Sequence, residues 1–456
     1  MQERDSRISG RFSLRLWLPL FILTALFCAL PSRSLPQEPE SFPPGYSFGV
    51  VDTVVVTGNE KTKSYVILDE MVLKEGIEAT HQLIQFDRNR IYSLGLFNRV
   101  DVWAEPLAEG VRLRVDVAER WYIIPLPVFG FAEGDVKKPF YGGGVLHNNF
   151  QGKNQKLFGL VTFGYNPSLR LSFENPQISR EENLYFSANL SFSKVRNKSE
   201  IESSISGDFD EKHYNVNATL GKRLSLYENL GFNLGYQIVE IDQYRPGRTV
   251  SSDGRDAFLI GSLTYAYDSR DLREYASRGL FFLLGTTKYG FGEADVNFAR
   301  FNMDTRYFLQ FLSDFVFAVR THGTMVSGGE VPTYARAYYG FGERIRGYYN
   351  TVFEGENLYG LSAEIRYDLI TPHIVHFTWI SLPEEFSVWR FGVGLALFAD
   401  TGVTWFRGEP VQWRDFASGY GGGINFLLPY GMVVRTEIAW NDQARTQFIL
   451  GLKSSF

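Results

Sequence analysis

Apolar and polar residues alternate along most of the chain from residue 121 onward. In the segments 230–238 and 432–440, one set of alternate residues is mostly large and apolar, and the other contains small, polar and charged residues. Successive side chains of a β-strand point to opposite faces of a sheet. The pattern therefore predicts a sheet with one apolar and one polar face.

Segments with this alternation recur along residues 121–456, each about ten residues long, as in outer-membrane barrels. We predict strands at 122–131, 140–148, 156–165, 169–175, 184–193, 200–209, 214–223, 230–240, 258–268, 280–289, 298–311, 315–326, 358–369, 390–400, 420–428, 431–440 and 446–456. This is one more than sixteen, and single-chain bacterial barrels usually close with an even number. Because 200–209 is crowded with Ser, Glu and Asp, we assign it to an outer loop. The predicted fold is an all-β antiparallel barrel of about 16 strands.

A water-soluble β-sandwich is the alternative, because its apolar faces would pack between two sheets. Strands of membrane-spanning length and aromatic residues near the strand ends favour a transmembrane barrel instead. These aromatic residues are Tyr165, Tyr185, Tyr289, Trp405 and Trp440. A connection at 371–389, which includes Trp379, Phe386 and Trp389, is longer than a short periplasmic turn, and an interfacial segment is one interpretation of it.

Residues 48–120 have a different pattern, which predicts a small α+β domain. A β-branched run at 50–57 ends at the turn signal Gly58-Asn59. Apolar residues then follow helical spacing over 62–74 and again from about Thr80 to Leu94, before Gly95. Two strands follow, at 97–104 and 111–118. The predicted order is β-α-α-β-β.

The first 47 residues lack the features of a folded domain. Four arginines precede an apolar run over 16–30, which is typical of a secretory signal peptide; we assign it to 1–32. A single membrane anchor is the alternative, but the run is shorter than the roughly 20 residues of a spanning helix. Residues 33–47 are rich in proline and polar residues and predict a linker. The chain's one cysteine, Cys28, lies in the leader, so we expect no disulfide.

Composition excludes several classes of function. The net charge is −5 without a basic block, so we expect no nucleic-acid partner. A mean hydropathy of −0.15 is too low for a bundle of membrane-spanning helices. The six histidines lack the spacing of a metal site, and neither a Ser/His/Asp arrangement nor a phosphate-binding glycine loop is present. We therefore expect no catalytic residues, metal or cofactor, and no enzymatic activity.

The segment between the predicted strands 315–326 and 358–369 is long for a hairpin loop, and such loops tend to be functional. It is rich in glycine and contains Arg346. The alternation in 358–369 and 390–400 places Glu364 and Asp400 on the lumen face. Arg346 can meet both acids if the loop folds back inside, where charge-assisted hydrogen bonds would hold it. The alternative is an arginine exposed to water on an outer loop.

Several motifs in this region resemble the BamA–Sam–Toc superfamily, the bacterial surface antigen family. The loop sequence Ile345-Arg346-Gly347-Tyr348 is similar to its loop-six motif. Phe398-Ala399-Asp400-Thr401-Gly402 is similar to its later strand motif, and Ser362-Ala363-Glu364-Ile365-Arg366 to the strand between them. The resemblance implies that Arg346 pairs with Glu364 and Asp400.

The resemblance extends over about residues 48–456. Tyr267-Asp268-Ser269-Arg270-Asp271, followed by Arg278-Gly279, resembles a mid-barrel motif, although Ala276 stands where proline is common. Arg90-Ile91-Tyr92-Ser93-Leu94-Gly95-Leu96-Phe97 and the predicted order of elements resemble a POTRA domain, with room for one such unit before the barrel. The final strand resembles an outer-membrane sorting signal, with Phe448, Leu450, Leu452 and Phe456 on one face.

The family implies a function in assembling or translocating polypeptides at the bacterial outer membrane, with residues 48–120 in the periplasm. The implied partners are the lipid bilayer, unfolded outer-membrane or secreted polypeptides, and accessory periplasmic proteins. We expect an assembly factor that templates client strands at a seam between the strands 122–131 and 446–456, where Pro125 and Pro127 remove donors. The alternatives are a secretion pore of the two-partner type and a passive porin.

Overall fold

A computed structural model describes residues 46–131, 137–292, 295–312, 314–376, 388–428 and 431–452. The predicted signal peptide, nearly all of the predicted linker and Phe456 lie outside these ranges. Among the described residues, no helix has the length and apolar character needed to cross a membrane.

The N-terminal domain is a four-stranded sheet packed against helices, with strand order β2-β1-β4-β3. Its elements are β1 (Ser47–Thr57), α1 (Ser64–Leu68), β2 (Glu78–Thr80), α2 (His81–Ser93), β3 (Phe97–Pro106) and β4 (Val111–Glu119). The prediction for α2 is accurate because its ends are encoded locally. The hydroxyl of Thr80 accepts the N–H of Leu83, and Gly95 takes a positive φ of 72° just after the helix.

Two details of this domain differ from the prediction. The first helix ends at Leu68 instead of continuing to residue 74, and a short strand, β2, lies between the helices. The cause is a tertiary contact: the buried carboxylate of Asp87 on α2 accepts the N–H groups of Val72 (2.8 Å) and Leu73 (2.9 Å). These donors are therefore satisfied outside a helix, and the chain turns towards β2.

The remainder of the described chain forms a sixteen-stranded antiparallel sheet that curves into a transmembrane barrel, as predicted. Neighbouring strands follow chain order, except that β15 pairs with β18 across the long loop. The strands are β5 (Ile123–Phe131), β6 (Pro139–Phe150), β7 (Gln155–Gly164), β8 (Ser168–Ser179), β9 (Leu184–Arg196), β10 (Asp210–Arg223), β11 (Glu228–Ile241), β12 (Arg255–Asp268), β13 (Gly279–Tyr289), β14 (Phe298–Leu312), β15 (Phe315–Gly328), β18 (Asn357–His376), β19 (Val388–Trp405), β20 (Ala417–Leu428), β21 (Met432–Asn441) and β22 (Thr446–Leu452).

The segment 200–209, which we excluded from the strands, contains the helix α3 (Glu200–Ser206) between β9 and β10. The hydroxyl of Ser199 caps it by accepting the N–H of Glu202. The predicted connection at 371–389 is wrong in part, because β18 continues to His376 and β19 begins at Val388, and these two residues are paired. The two strands of this hairpin therefore extend into the region where we predicted a connection.

The strands direct their apolar residues to the lipid side and their charged residues to the lumen, as the alternation predicted. Apolar residues such as Phe232 (55% exposed) and Leu397 (68%) point outward, as required of a surface that contacts lipid. Glu364 and Arg366, which alternate with such residues along β18, are 2% and 1% exposed. The charged side chains of this strand are thus enclosed by the barrel.

The N-terminal domain contacts the turns at one end of the barrel through buried charges. Glu70 accepts hydrogen bonds from Arg90 of its own domain (2.7 Å) and from Arg223 at the end of β10 (2.8 and 3.1 Å). Burial raises the pKa of Glu70, but Arg223 and Arg90 outweigh this effect and leave it below its usual range. Asp69 accepts from Gln177 at 2.9 Å, which adds a second link to the barrel. The domain is therefore docked in a defined orientation.

Candidate functional site

The loop at 329–356 lies inside the barrel against its inner wall. It contains a 3₁₀ turn (Thr333–Ala335) and two short strands, β16 (Ala337–Tyr339) and β17 (Phe353–Gly355), which pair with each other. Tyr339 and Ile345 are 1% and 2% exposed and pack with the wall residues Leu358 and Ala417. This small apolar cluster holds the loop in place and excludes water from its base.

Arg346 is buried at the centre of this loop, at 5% exposure. Its Nε and Nη2 donate to the two carboxylate oxygens of Asp400, at 2.7 Å each. Its Nη1 donates to Oε2 of Glu364 at 2.9 Å, and its backbone N–H donates to Asp400 at 3.1 Å. The bidentate pair with Asp400 fixes the plane of the guanidinium group as well as its position.

The pairing extends to a third carboxylate and two further cations. Nη1 of Arg346 also donates to Oε1 of Glu437 on β21, at 3.2 Å. Arg366 donates to Glu364 and Arg435 donates to Glu437, both at 2.7 Å. We call these groups the arginine cluster, which consists of Arg346, Arg366, Arg435, Asp400, Glu364 and Glu437. Its three positive and three negative charges balance, as burial of so many ions requires.

The aromatic ring of Phe398 supports the guanidinium group from one side. The central carbon of the Arg346 guanidinium lies 3.6 Å from the centre of this ring, so a cation–π contact adds to the ion pairs. Phe398 in turn packs against Ala439 and Ile449, which are 0% and 2% exposed. Ile449 belongs to β22, so the arginine cluster is in packing contact with the last described strand.

The loop also hydrogen-bonds directly to the hairpin formed by β21 and β22. The backbone N–H of Tyr349 donates to Oε1 of Gln447 on β22 at 2.9 Å. The hydroxyl of Tyr348 donates to Asp442, in the turn between the two strands. The conformation of the loop is thereby linked to the position of the barrel's last hairpin.

Two glycines allow the loop backbone to rest on the barrel wall. A Cβ at Gly419 on β20 would lie 1.8 Å from the carbonyl oxygen of Arg346, which no side chain could tolerate. Gly347 has a φ of 99°, and a Cβ there would lie 2.8 Å from the carbonyl oxygen of Trp440. Close backbone contact is therefore part of how Arg346 reaches Asp400.

A turn at 269–278 closes the site from the end that faces the N-terminal domain. The carboxylate of Asp271 shapes this turn by accepting the N–H groups of Ser277 (2.9 Å) and Arg278 (3.1 Å). The ring of Tyr275 lies 4.6 Å from the guanidinium of Arg366, which donates to the carbonyl of Ala276 at 3.3 Å. The turn at 269–278, which belongs to the mid-barrel motif, therefore contacts the arginine cluster on the side of the N-terminal domain.

A second set of charges anchors the loop on another part of the wall. Arg320 on β15 makes a bidentate pair with Glu343 of the loop, with both bonds at 2.9 Å. The same guanidinium donates to Asp304 on β14, also at 2.9 Å. Within the ranges that the structure covers, no group of His, Cys, Asp and Glu side chains is arranged to bind a metal ion.

Two protein-family models match this chain. Residues 149–456 match the Omp85 superfamily domain, which covers more than half of the chain. The chain belongs to the Omp85 superfamily. Residues 50–120 match a POTRA domain, described as a surface antigen variable number repeat. Both matches confirm the resemblance to the BamA–Sam–Toc superfamily and identify the N-terminal domain as a POTRA domain.

Individual relatives are distant. The chain is 22% identical over 380 residues to the outer membrane protein assembly factor BamA of Nitratidesulfovibrio vulgaris, covering 80% of this chain and 45% of that protein. It therefore spans about half the length of this curated relative. Among solved structures, BamA from Haemophilus ducreyi lacking POTRA domains 1–3 has a TM-score of 0.52 at 14% identity, covering 89% and 83% of the two chains. CdiB from Acinetobacter baumannii gives 0.49 at 13% identity, covering 89% and 73%.

The structure brings most of the predicted site residues of this Omp85 chain together. Ile345, Arg346, Gly347, Tyr348, Glu364, Phe398, Asp400 and Gly402 all lie in or beside the arginine cluster. Phe448, Leu450 and Leu452 point outward on β22 and are more than 60% exposed, and Phe456 lies outside the described residues. Sequence reasoning missed Glu437 and the pair Arg320–Glu343 as loop contacts, and Arg435 as the partner of Glu437. The alternation marks Arg435 and Glu437 as lying on one polar face, but it does not show that β21 reaches the loop.

Proposed function

We propose that this protein is a BamA-like assembly factor, which inserts client polypeptides into the bacterial outer membrane by templating their strands at a barrel seam. Membership in the Omp85 superfamily supports this function. The observation that carries it is the seam itself. Among the described residues, β5 pairs with β6 and β22 pairs with β21, and the two end strands of the sheet are not paired with each other.

An open seam matters because lipid cannot satisfy backbone polar groups. An unpaired N–H or C=O in the bilayer costs several kcal/mol, so a client strand cannot enter the membrane alone at low cost. Pairing with an exposed strand edge supplies the missing hydrogen bonds, as in β-augmentation. The two end strands offer such edges to a client at the membrane.

The loop would fix the position of β22, the strand on one side of this seam. Tyr349 and Tyr348 bind the hairpin of β21 and β22 from inside, and the arginine cluster fixes the loop to β18, β19 and β21. A template strand must keep its register while a client pairs with it, because a slip by one residue reverses the client's faces. We infer that the arginine cluster keeps β22 in a constant position.

The proposed location is the outer membrane, with the POTRA domain in the periplasm. The proposed partners are the lipid bilayer, unfolded outer-membrane or secreted polypeptides, and accessory periplasmic proteins that dock on the POTRA domain. The proposed activity is not enzymatic and requires neither a cofactor nor a metal, because strand pairing and lipid burial supply the driving free energy.

Depletion of the protein in its source bacterium tests this function. We expect folded outer-membrane proteins to decline, as measured by heat-modifiable gel migration and quantitative mass spectrometry of outer membranes. Wild-type protein should restore them and Arg346→Ala should not. Arg414→Ala is the matched control, because Arg414 is an exposed arginine on another loop. Unchanged levels of folded outer-membrane proteins on depletion would refute the proposal.

The same experiment separates the alternatives. Loss of one secreted polypeptide, with outer-membrane proteins unchanged, would favour a secretion pore dedicated to that passenger. Steady ion conductance of the purified protein in planar bilayers, with no effect of depletion on either class of client, would favour a porin.

A further inference from the structure

We propose that this protein binds a phosphate group at the junction between the POTRA domain and the barrel, in a site formed by Arg88 of α2 and Arg390 of β19. The inference goes beyond the proposed assembly function and does not depend on it. It rests on two guanidinium groups that lie close together across the junction without a carboxylate to pair with either. A phosphate at the membrane surface, in a lipid headgroup or free in solution, supplies the missing negative charge.

The hairpin of β18 and β19 brings Arg390 to the POTRA domain. β15 pairs with β18 only as far as Tyr367, and β20 pairs with β19 only as far as Gly392. Beyond these residues the two strands continue as a ribbon to the pair His376–Val388, and β19 contacts β3 of the POTRA domain. Among the strands that the structure describes, none pairs with the outer edges of this ribbon, so its inner face is open to the membrane surface.

Arg390 contacts an aromatic ring of α2 next to a second arginine. The central carbon of its guanidinium is 5.2 Å from the centre of the Tyr92 ring. Arg88 precedes Tyr92 by four residues, so the two side chains lie one turn apart on the same face of the helix. Burial lowers the pKa of Arg88, the adjacent charge of Arg390 lowers it further, and Asp101 opposes the shift. The two arginines are therefore close enough to repel each other.

Neither arginine has an acidic partner. Within the described ranges, Arg88 and Arg390 form no ion pair and no hydrogen bond. Asp101 is already bound by Arg99, and Asp368 interacts with Arg390 only through space, without an ion pair. The site thus presents two sets of N–H donors and two positive charges, with no acceptor directed at them.

This arrangement is unlike the rest of the junction, where arginines have acidic partners. Those pairs are Arg90–Glu70, Arg223–Glu70, Arg180–Asp69 and Arg273–Asp268. Bringing cations together between two domains is unfavourable unless an anion compensates them. A bound anion at Arg88 and Arg390 would give these two side chains the kind of partner that the other arginines already have.

The donors fit a phosphate group. A guanidinium presents parallel N–H groups in a planar fork, which binds the oxygens of a phosphate in a bidentate manner. Each phosphate oxygen accepts more than one hydrogen bond, so two guanidinium groups can share one phosphate. The hydroxyl of Tyr92, which has no hydrogen bond among the described residues, is a further donor on the same face of α2. A metal cation is excluded, because the site is positively charged.

The depth of the site also favours a phosphate. Leu369 and Ile370, which are 55% and 41% exposed, mark the end of the apolar outer surface of β18. Arg390 is paired with Ile374, four residues beyond Ile370. At about 3.3 Å per residue and a tilt of about 45°, its backbone lies about 9 Å beyond the hydrocarbon. The headgroup layer is roughly 5–8 Å thick, and a long arginine side chain reaches back into it.

A phosphate held by both arginines would join the POTRA domain to the ribbon. Glu70 already connects the domain to the barrel at the end of β10, through Arg223. The phosphate would add a connection at β19, and it would turn a repulsive contact between two cations into an attractive one. The docking of α2 on the ribbon should therefore depend on the phosphate supply at the membrane surface.

Hydrogen exchange of α2 tests this site in the full-length chain. The protein is reconstituted in phosphatidylcholine vesicles, in phosphatidylcholine mixed with phosphatidylglycerol, and in phosphatidylcholine with inorganic phosphate at constant ionic strength. The phosphate of phosphatidylcholine is neutralised by its own choline group, so that preparation is the reference. A phosphate bound by both arginines should slow exchange in α2 by about tenfold, the effect of one charge-assisted hydrogen bond. Slowing by phosphatidylglycerol identifies a lipid headgroup, and slowing by inorganic phosphate identifies the free ion.

Three substitutions assign the effect to the site. Arg88→Gln and Arg390→Gln should each abolish the slower exchange, because each removes one of the two guanidinium groups. Arg112→Gln is the matched control. Arg112 alternates along β4 with the core residues Val111 and Leu113, so it lies on the face of the sheet opposite α2, where it pairs with Glu105. This variant should keep the full protection, and heat-modifiable migration establishes that each variant is folded.

Two results would overturn the inference. One is an equal rate of exchange in all three wild-type preparations. The other is a loss of protection in Arg112→Gln as complete as in Arg88→Gln, which would show a general attraction of the POTRA domain to a charged surface. Both results leave the proposed assembly function standing, because the phosphate site is not part of its mechanism.

Discussion

Truncation of Arg346 to alanine is the sharpest test of the arginine cluster. The change removes four side-chain hydrogen bonds to three carboxylates, together with the cation–π contact to Phe398. It leaves Asp400, Glu364 and Glu437, all nearly inaccessible to water, with two cations instead of three. The barrel must then accommodate a buried negative charge that has lost its partner.

The expected magnitude follows from the burial of these groups. Breaking a buried ion pair by removing one partner costs about 3–5 kcal/mol, and the unpaired carboxylate accounts for much of that cost. Arg346→Lys keeps the charge but loses the planar bidentate geometry, so its cost should be smaller, about 1–3 kcal/mol. Because Asp400 carries the two shortest bonds, Asp400→Asn combined with Arg346→Ala should cost less than the sum of the two single changes.

Two measurements in detergent or liposomes check these values. Protease cleavage after Tyr348 and Tyr349 reports release of the loop from the wall, and we expect rapid cleavage in Arg346→Ala and slow cleavage in the wild-type protein. Urea unfolding of the reconstituted barrel, followed by heat-modifiable migration, gives the free-energy difference. Arg414→Ala should match the wild-type protein in both measurements.

The reasoning fails if Arg346→Ala retains a protected loop and unfolds at the wild-type urea concentration. Additive effects of Arg346→Ala and Asp400→Asn would also contradict it, since two residues bound to each other must show a coupling energy.

Three further predictions concern other contacts. Gly419→Ala should destabilise loop packing by about 1–3 kcal/mol, because its Cβ would overlap the carbonyl of Arg346. Faster protease cleavage of the loop would report this change. Gly342→Ala is the control and should be neutral in the same assay, because the space around Gly342 is open. Glu70→Gln should weaken the contact between the POTRA domain and the barrel, which would appear as faster hydrogen exchange at the junction. Acid should have the same effect on the wild-type protein. The pKa of Glu70 is depressed in the folded state, so its contribution to stability is lost as the pH falls through that pKa. Burial raises the pKa of Asp87 to about 6, from 3.8, although the N–H groups of Val72 and Leu73 oppose the shift. The folded domain therefore binds this proton more tightly than the unfolded chain does. Its stability should fall by about 3 kcal/mol as the pH rises from about 4 to about 6. Hydrogen exchange of α2 should show this pH dependence, and Asp87→Asn should abolish it.

The sequence predicted the barrel and the faces of its strands because a strand repeats every two residues. A run such as 358–369 shows its lipid and lumen sides without any tertiary information. The same parity places Glu364 and Asp400 in the lumen, and the resemblance to a known family connects them with Arg346. The ends of α2 were also predictable, since Thr80 and Gly95 act within one turn of the helix.

Contacts between residues far apart in the chain were beyond such reasoning. Glu437 lies 91 positions from Arg346, and its position on the polar face of β21 does not show that it reaches the loop. The early end of α1 depends on Asp87, which is 15 positions from Val72. In each case, the deciding hydrogen bond joins elements whose proximity exists only after the sheet has formed.

By itself, then, the sequence determined the periodic properties of this protein: which segments are strands and which side of each strand meets lipid. The tertiary structure decided which charges meet. The loop reaches its carboxylates because β18, β19 and β21 lie close together around one lumen and because Gly419 leaves room for the loop backbone. Periodicity is a local property of the chain, whereas a balanced buried cluster requires several distant segments to meet at one point.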